Sequence, residues 1–299
     1  PVLWPLTGEV VGDPARLGET PVVGIKVENT TAARPWVGLN RADVVFVEMV
    51  EAGLTRFHAV YQSDVPAVVG PVRSLRPMDA AILGPWNGTL LASGGAGSFI
   101  ARVESAVALQ TQDRGDAGFY RDNQSFGARR APHNVFVDME TILPSLRPAG
   151  EVPQLAEFGE SPSTTGGAPA NLVSVTYPGA RSVWEYSPES GAYLRWDNGT
   201  ESVETDGTRI SARNVLILDV TTRDTGALDA ARNPVPETIL SGSGNLHMFM
   251  GGQVVQGTWS KGGDKEPFVL TTASGEPLVL SPGSSWIELL PERGQANWE

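Results

Sequence analysis

The chain has 299 residues, 34 Asp plus Glu against 22 Lys plus Arg, a formal charge of −12, 40 % apolar residues and no cysteine. Its length suits about two domains of roughly 150 residues each, and its apolar content suits a packed core. Without thiols there is no disulfide framework, thiolate zinc site or iron–sulfur cluster, and the negative field opposes general binding to nucleic acid or anionic lipid. The charge is uneven: residues 1–150 carry a net −2 and residues 151–299 a net −10. An anion site is therefore expected in the first half. No run of 18 apolar residues is present, and the start at Pro1-Val2-Leu3-Trp4-Pro5 reads as a trimmed edge whose natural amino terminus lies upstream.

In chain order, the β-branched run 22–29 predicts a buried strand, and runs 43–51 and 54–62 predict a hairpin turning at Gly53. Residues 78–83 predict a short helix stopped by Gly84-Pro85. Residues 98–110 predict a longer one, with Phe99, Ile100, Val103 and Val107 on one stripe, and a strand at 88–93 lies between the two. The Pro-, Gly- and Ser-rich stretch 146–171 predicts an interdomain linker. Beyond it, period-two runs at 172–177, 183–186, 192–196, 215–220, 246–250, 254–259, 268–271, 278–280 and 286–290 alternate with turns such as Asn198-Gly199 and Asp206-Gly207. They predict a mainly-β second half, a sandwich or a strongly bent sheet. The expected organisation is an α/β domain over 1–147, a linker over 148–170 and a β-rich domain over 171–299.

The residues with most chemical promise follow the Gly70-Pro71 turn. Arg73 and Arg76 lie three apart, and a helix beginning at Leu75 or Met78 points both guanidiniums toward its positive end, a combination that favours carboxylate or phosphate. Arg56 and Arg34 are candidates to join them. The alternative keeps Arg73 and Arg76 inside an ion network with Asp43, Glu48 and Glu51, to which Asn29 and Arg34 also belong. Gly94-Gly95-Ala96-Gly97-Ser98 precedes the longer helix, so its amides can cradle an anion while Ser98 caps, although it is no phosphate-binding loop of the Gly-Lys type. His133, beside Asn134, is either a general base or a polar bridge.

Other chemistries find little support. His58 and His247 have no second ligand at zinc spacing, and Asp113, Asp116 and Asp122 alternate with Arg114 and Arg121 as in a solvated loop rather than a calcium loop. No metal and no cofactor is expected. There is no Gly-x-Ser-x-Gly elbow, and the spacing of Glu48 and Glu51 puts them on opposite faces of a strand, against a glycosidase pair. Trp184, Trp196, Trp259, Trp286 and Trp298 are either core residues or sugar-stacking ones.

At Arg34-Pro35, Ala42-Asp43-Val44-Val45, Glu48, Glu51-Ala52-Gly53-Leu54-Thr55-Arg56-Phe57, Gly70-Pro71-Val72-Arg73-Ser74-Leu75-Arg76 and Ala131-Pro132-His133-Asn134 the chain resembles the YerB-like lipoproteins, a family of unknown function called DUF3048. Gly257-Thr258-Trp259-Ser260-Lys261 and Gly283-Ser284-Ser285-Trp286-Ile287-Glu288 resemble the family's carboxy-terminal domain. Ala52 and Leu54 stand where the family commonly has Gly and Ile, and Val37 where it has Gln. The resemblance implies an α+β fold: a layered α/β sandwich followed by a smaller mainly-β domain. It also implies an extracytoplasmic ectodomain tethered to the membrane through an upstream lipidated cysteine. The function expected is non-enzymatic binding of an anionic envelope component or an envelope protein through a cleft of Arg56, Arg73, Arg76, His133, Asn134 and Ser98. The alternative is a hydrolase or transferase acting on a phosphate-bearing wall precursor, with Asp43, Glu48 or His133 as base.

Overall fold

The computed structural model describes residues 1–299. Val23–Glu28, Val44–Met49 and Thr55–Tyr61 form strands in which every residue is buried, as a sheet covered on both faces requires. Thr55–Tyr61 lies in the middle, antiparallel to both neighbours. Thr89–Ala92 and Ala108–Thr111 extend one side in parallel. On the other side Val44–Met49 pairs in parallel with Ser285–Leu290, and the sheet continues through Asn214–Asp219, Gly242–Met250 and Gln253–Lys261. Both halves of the chain thus contribute to one eleven-stranded sheet.

Alternation along these strands sends two apolar sets to opposite faces. Val44, Phe46, Leu216, Leu218, Ile287 and Leu289 meet residues of the helices Asp79–Leu83 and Gly97–Glu104. Val45, Val47, Phe57, Ile217 and Trp286 meet a second, antiparallel sheet through Val173, Val175, Trp184 and Tyr193, carried on Leu172–Tyr177, Ala180–Ser187 and Ala192–Asp197. The result is a strand-rich α+β fold with several sheets.

The expected hairpin turns through Glu51–Gly53, where Ala52 (φ 57°) and Gly53 (φ 71°) are left-handed. A side chain at Gly53 would come within 2.7 Å of the Gly179 nitrogen and of Pro178, so that close approach requires glycine. The helix expected over 98–110 stops at Glu104, because Ala108–Thr111 is taken up as a parallel strand beside Thr89–Ala92. Strands expected within a separate second-half sheet, 215–220 and 286–290, join the first half's sheet instead, where Val44–Met49 supplies the missing partner. The stretch 148–170 is irregular but anchored: Leu155 N bonds to Pro5 O at 3.1 Å, Gly159 N to Leu280 O at 3.0 Å, and Thr164 is 1 % exposed. A hairpin of Thr221–Leu228 and Pro234–Ile239, unmarked by hydrophobic alternation, projects from the second half.

Between the two sheets lies a charged group. Arg195, 1 % exposed, donates from Nε and Nη2 to Asp197 (2.9 and 3.0 Å) and from Nη1 to Glu288 (2.7 Å). Its guanidinium carbon is 4.8 to 5.1 Å from the ring centres of Phe57, Trp184 and Trp286. Glu288 also accepts from Tyr177, Ser182 and Trp184, and Asp197 from Ser202 and Asn29. Burial alone would favour deprotonation, but Asp197 and Glu288 outweigh it and hold Arg195 charged. Arg195→Ala leaves two buried carboxylates without their cation. Urea denaturation should show a loss of about 3–5 kcal/mol with an unchanged slope.

Candidate functional site

Strand register places the polar side chains of the central sheet in rows. Glu28, Arg56 and Glu48 sit opposite one another on three neighbouring strands, and Lys26, His58 and Phe46 form the next row on the same face. Asp79, at the start of its helix, reaches this face. Lys26 Nζ is 2.9 Å from Asp79 Oδ1 and also bonds Glu48, and His58 Nδ1 is 2.7 Å from the same Asp79 oxygen. All four side chains are fully buried. Burial, and after it the Asp79 charge, pushes Glu48 up to about 7. Burial opposes ionisation of Asp79 as well, but Lys26 and His58 overcome it and hold Asp79 below the usual carboxylate range. Burial lowers His58. Asp79 Oδ2 accepts the Arg76 amide at 2.7 Å, so the cluster fixes the backbone that carries the arginines.

Beside the Glu28–Arg56 end of these rows opens a cleft of about 160 Å³, lined by Glu28, Glu51, Arg56, Arg73, His133 and Asp229 among others. Glu28 is its organiser. One carboxylate oxygen is 2.8 Å from His133 Nδ1, accepts from Thr30 Oγ1 at 2.9 Å, and lies 3.6 Å from Arg73 Nε. Arg76 stands behind the wall, 8 % exposed, paired with Glu51 and donating to Leu75 O at 2.7 Å. Arg56, also 8 % exposed, donates from Nη1 to Ser74 O at 2.7 Å and has no carboxylate within 4.0 Å. Burial first, then the charges of Arg76 and Arg73, bring Arg56 down to about 10.

The structure therefore brings Arg56, Arg73 and His133 together, with Arg76 adjoining. It does not bring Asn134 or Ser98 to the cleft lining. Asn134 is 2 % exposed, accepts from Arg121 at 2.7 Å and donates to Asn123. Ser98 is exposed and does not cap: the N-cap is Ala96, without a side-chain bond. The expected anion cradle is also filled, Gly94 lying against Asp113 and Gly95 against Leu75. The ion network differs from the expected one in its pairings. Arg73 faces Glu28, Arg76 takes Glu51, and Glu48 takes Lys26. Asp43 instead accepts the Gln62 and Ser63 amides at 2.6 and 2.8 Å, and burial raises it to about 6. Arg34 donates to Asn29 at 3.1 Å, and Asn29 to Asp197 at 3.1 Å, which links them to the Arg195 group. Trp184, Trp259 and Trp286 are core residues, Trp196 lies under Arg209, and Trp298 packs on His247. No set of three or more His, Asp or Glu side chains is grouped as a metal site needs.

Sequence reasoning missed Lys26 and the buried role of His58, which it weighed only as a zinc ligand, and it missed Asp79, Glu28 and Asp229. A lysine and a histidine in apolar strands marked the first two. Nothing local marked Asp229.

This fold and these motifs define a family. The chain belongs to the family described as "Protein of unknown function (DUF3048)", whose N-terminal domain matches residues 6–151 and whose C-terminal domain matches residues 173–287, as the motif resemblance implies. It is similar to the Bacillus subtilis (strain 168) protein described as "Putative lipoprotein YerB", with 25 % identity over 304 residues, covering 98 % of this chain and 87 % of that one. The crystal structure of YerB protein from Bacillus subtilis has the same fold, with a TM-score of 0.83 and 22 % identity over 99 % of this chain and all of that one.

Two outcomes follow from the site. Glu48 binds its proton more tightly in the folded state (about 7) than at its ordinary value of 4.5. Its contribution to stability is therefore full below pH 4.5 and is lost as pH rises through 7. Between pH 4.5 and 8, chemical denaturation should show the wild-type chain losing about 3 kcal/mol relative to Glu48→Gln. Arg76→Ala, which strands buried Glu51, should cost about 3–5 kcal/mol, whereas Arg73→Ala, at a half-buried 3.6 Å pair, should cost about 1 kcal/mol or less in the same assay.

Proposed function

We propose that this protein is a lipoprotein ectodomain outside the cytoplasmic membrane whose Arg56–Arg73–His133 cleft binds the carboxylate or phosphate of an envelope component or an envelope protein. Membership of DUF3048 and the likeness to a protein described as a lipoprotein support the location. No helix is long and apolar enough to cross a membrane, and the reading includes tethering through a lipidated cysteine upstream.

The observation that carries the binding reading is Arg56. A guanidinium has five N–H donors, yet this one is nearly buried, spends one donor on a neutral carbonyl, and has two further arginines beside it whose repulsion exceeds the attraction of Glu51 and Glu48. An anion in the cleft supplies both the missing acceptors and the missing negative charge. The bases of the hydrolase or transferase alternative are poorly placed: Glu48 and Asp43 are buried outside the cleft lining, and only His133 reaches it.

Thermal-shift measurements with phosphate-bearing, uronate-bearing and peptidoglycan fragments test the reading. A fragment at a hundred times its Kd should stabilise the wild-type protein by about 2.7 kcal/mol and leave folded Arg56→Gln unshifted. Equal shifts in the two proteins, or no shift with any fragment, overturn it.

A further inference from the structure

Two charges of opposite sign line the cleft without an ion-pair partner within 4.0 Å. Arg56, on the central sheet, is the cationic one, having no carboxylate within 4.0 Å. Asp229, near the tip of the projecting hairpin, is the anionic one. Its carboxylate is held by donors of its own loop, Asn233 at 2.7 Å from the backbone N and at 3.1 and 3.4 Å from Nδ2, with the Ala231 amide nearby, and no cation lies within 4.0 Å. Arg76 acts on it from further away and is already engaged by Glu51. The other charged residues of the lining are matched, Arg73 with Glu28 and Glu51 with Arg76. Arg56 and Asp229 thus face one space of about 160 Å³ without touching each other.

A simple anion meets Arg56 but is repelled by Asp229 and the neighbouring carboxylates, and a simple cation meets the reverse. A molecule with both charges a few atoms apart satisfies both walls. We propose that the cleft selects a compact zwitterion: a free α-amino acid, or the same ammonium–carboxylate group displayed through its side chain on a larger molecule. The inference rests on the reading of Arg56 as an anion site and adds the partner for the ligand's positive end. There is room for the larger molecule, since a groove of about 550 Å³ shares Val50 and Ala52 with the cleft and runs past Met49, Pro178 and Pro234.

Isothermal titration of the 299-residue protein with alanine, Nε-acetyl-lysine, Nα-acetyl-alanine and propionate tests this. Alanine or Nε-acetyl-lysine should bind at least tenfold more tightly than Nα-acetyl-alanine and propionate. Asp229→Asn, at an exposed loop, should erase that preference by weakening alanine and tightening propionate, and Arg56→Gln should abolish binding of all four. Binding of alanine without Nε-acetyl-lysine identifies a free amino acid; the opposite result identifies a displayed one. If Nα-acetyl-alanine and propionate bind the wild-type protein as tightly as alanine does, the zwitterion inference falls while the anion reading stands. If none of the four binds, the inference falls, and the phosphate and uronate fragments above decide the anion reading separately.

Discussion

A guanidinium between two apolar layers persists only when every charge around it is answered, and Arg195 is held that way. Its carboxylate partners come from different places: Asp197 from its own strand and Glu288 from the central sheet. Each carboxylate recruits further donors, and Asn29 extends the chain of bonds from Asp197 to Arg34 and Thr55 in the first half. The aromatic rings of Phe57, Trp184 and Trp286 exclude water from the group, which strengthens its electrostatics and raises the cost of leaving any member unpaired. One residue thereby sets how the second sheet sits on the first.

The candidate site inherits that alignment. Thr55, which accepts from Asn29, immediately precedes Arg56 on its strand, and the Ala52-Gly53 turn is clamped against Pro178-Gly179 of the second sheet. On the opposite face of the same strands, the Lys26–Glu48–Asp79–His58 cluster holds the Arg76 amide. The cleft is thus formed by a rigid sheet end, a fixed arginine segment and the tip of a hairpin contributed by the other half of the chain. Pre-set walls of this kind lower the ordering cost of binding.

Much of this was legible in the sequence, for identifiable reasons. Runs such as Val44–Met49 carry their strand character in β-branched residues, Gly53 announces its turn, and the motifs around Arg56, Arg73 and His133 converge on one cleft. Alternation tells which face a charge takes but not which neighbour it meets, so the pairings of Arg73 with Glu28 and Glu48 with Lys26 were not readable. The helix ending at Glu104 gave way to a parallel strand whose partner lies elsewhere in the chain. The Thr221–Leu228 arm shows polar residues on both faces and prolines in its mate, so local pattern gave no sign of Asp229's place.

The pairing of Val44–Met49 with Ser285–Leu290 brings together segments roughly 240 residues apart. Such a ladder cannot begin until residues 285–290 have been synthesised, so the central sheet is completed through its most non-local strand pairing. Until then Val44, Val45, Phe46 and Val47 present an open apolar edge, the kind of surface on which incomplete chains join one another. The first half on its own is therefore a sheet with a missing neighbour, and its protection from aggregation during biosynthesis depends on the arrival of Ser285–Leu290.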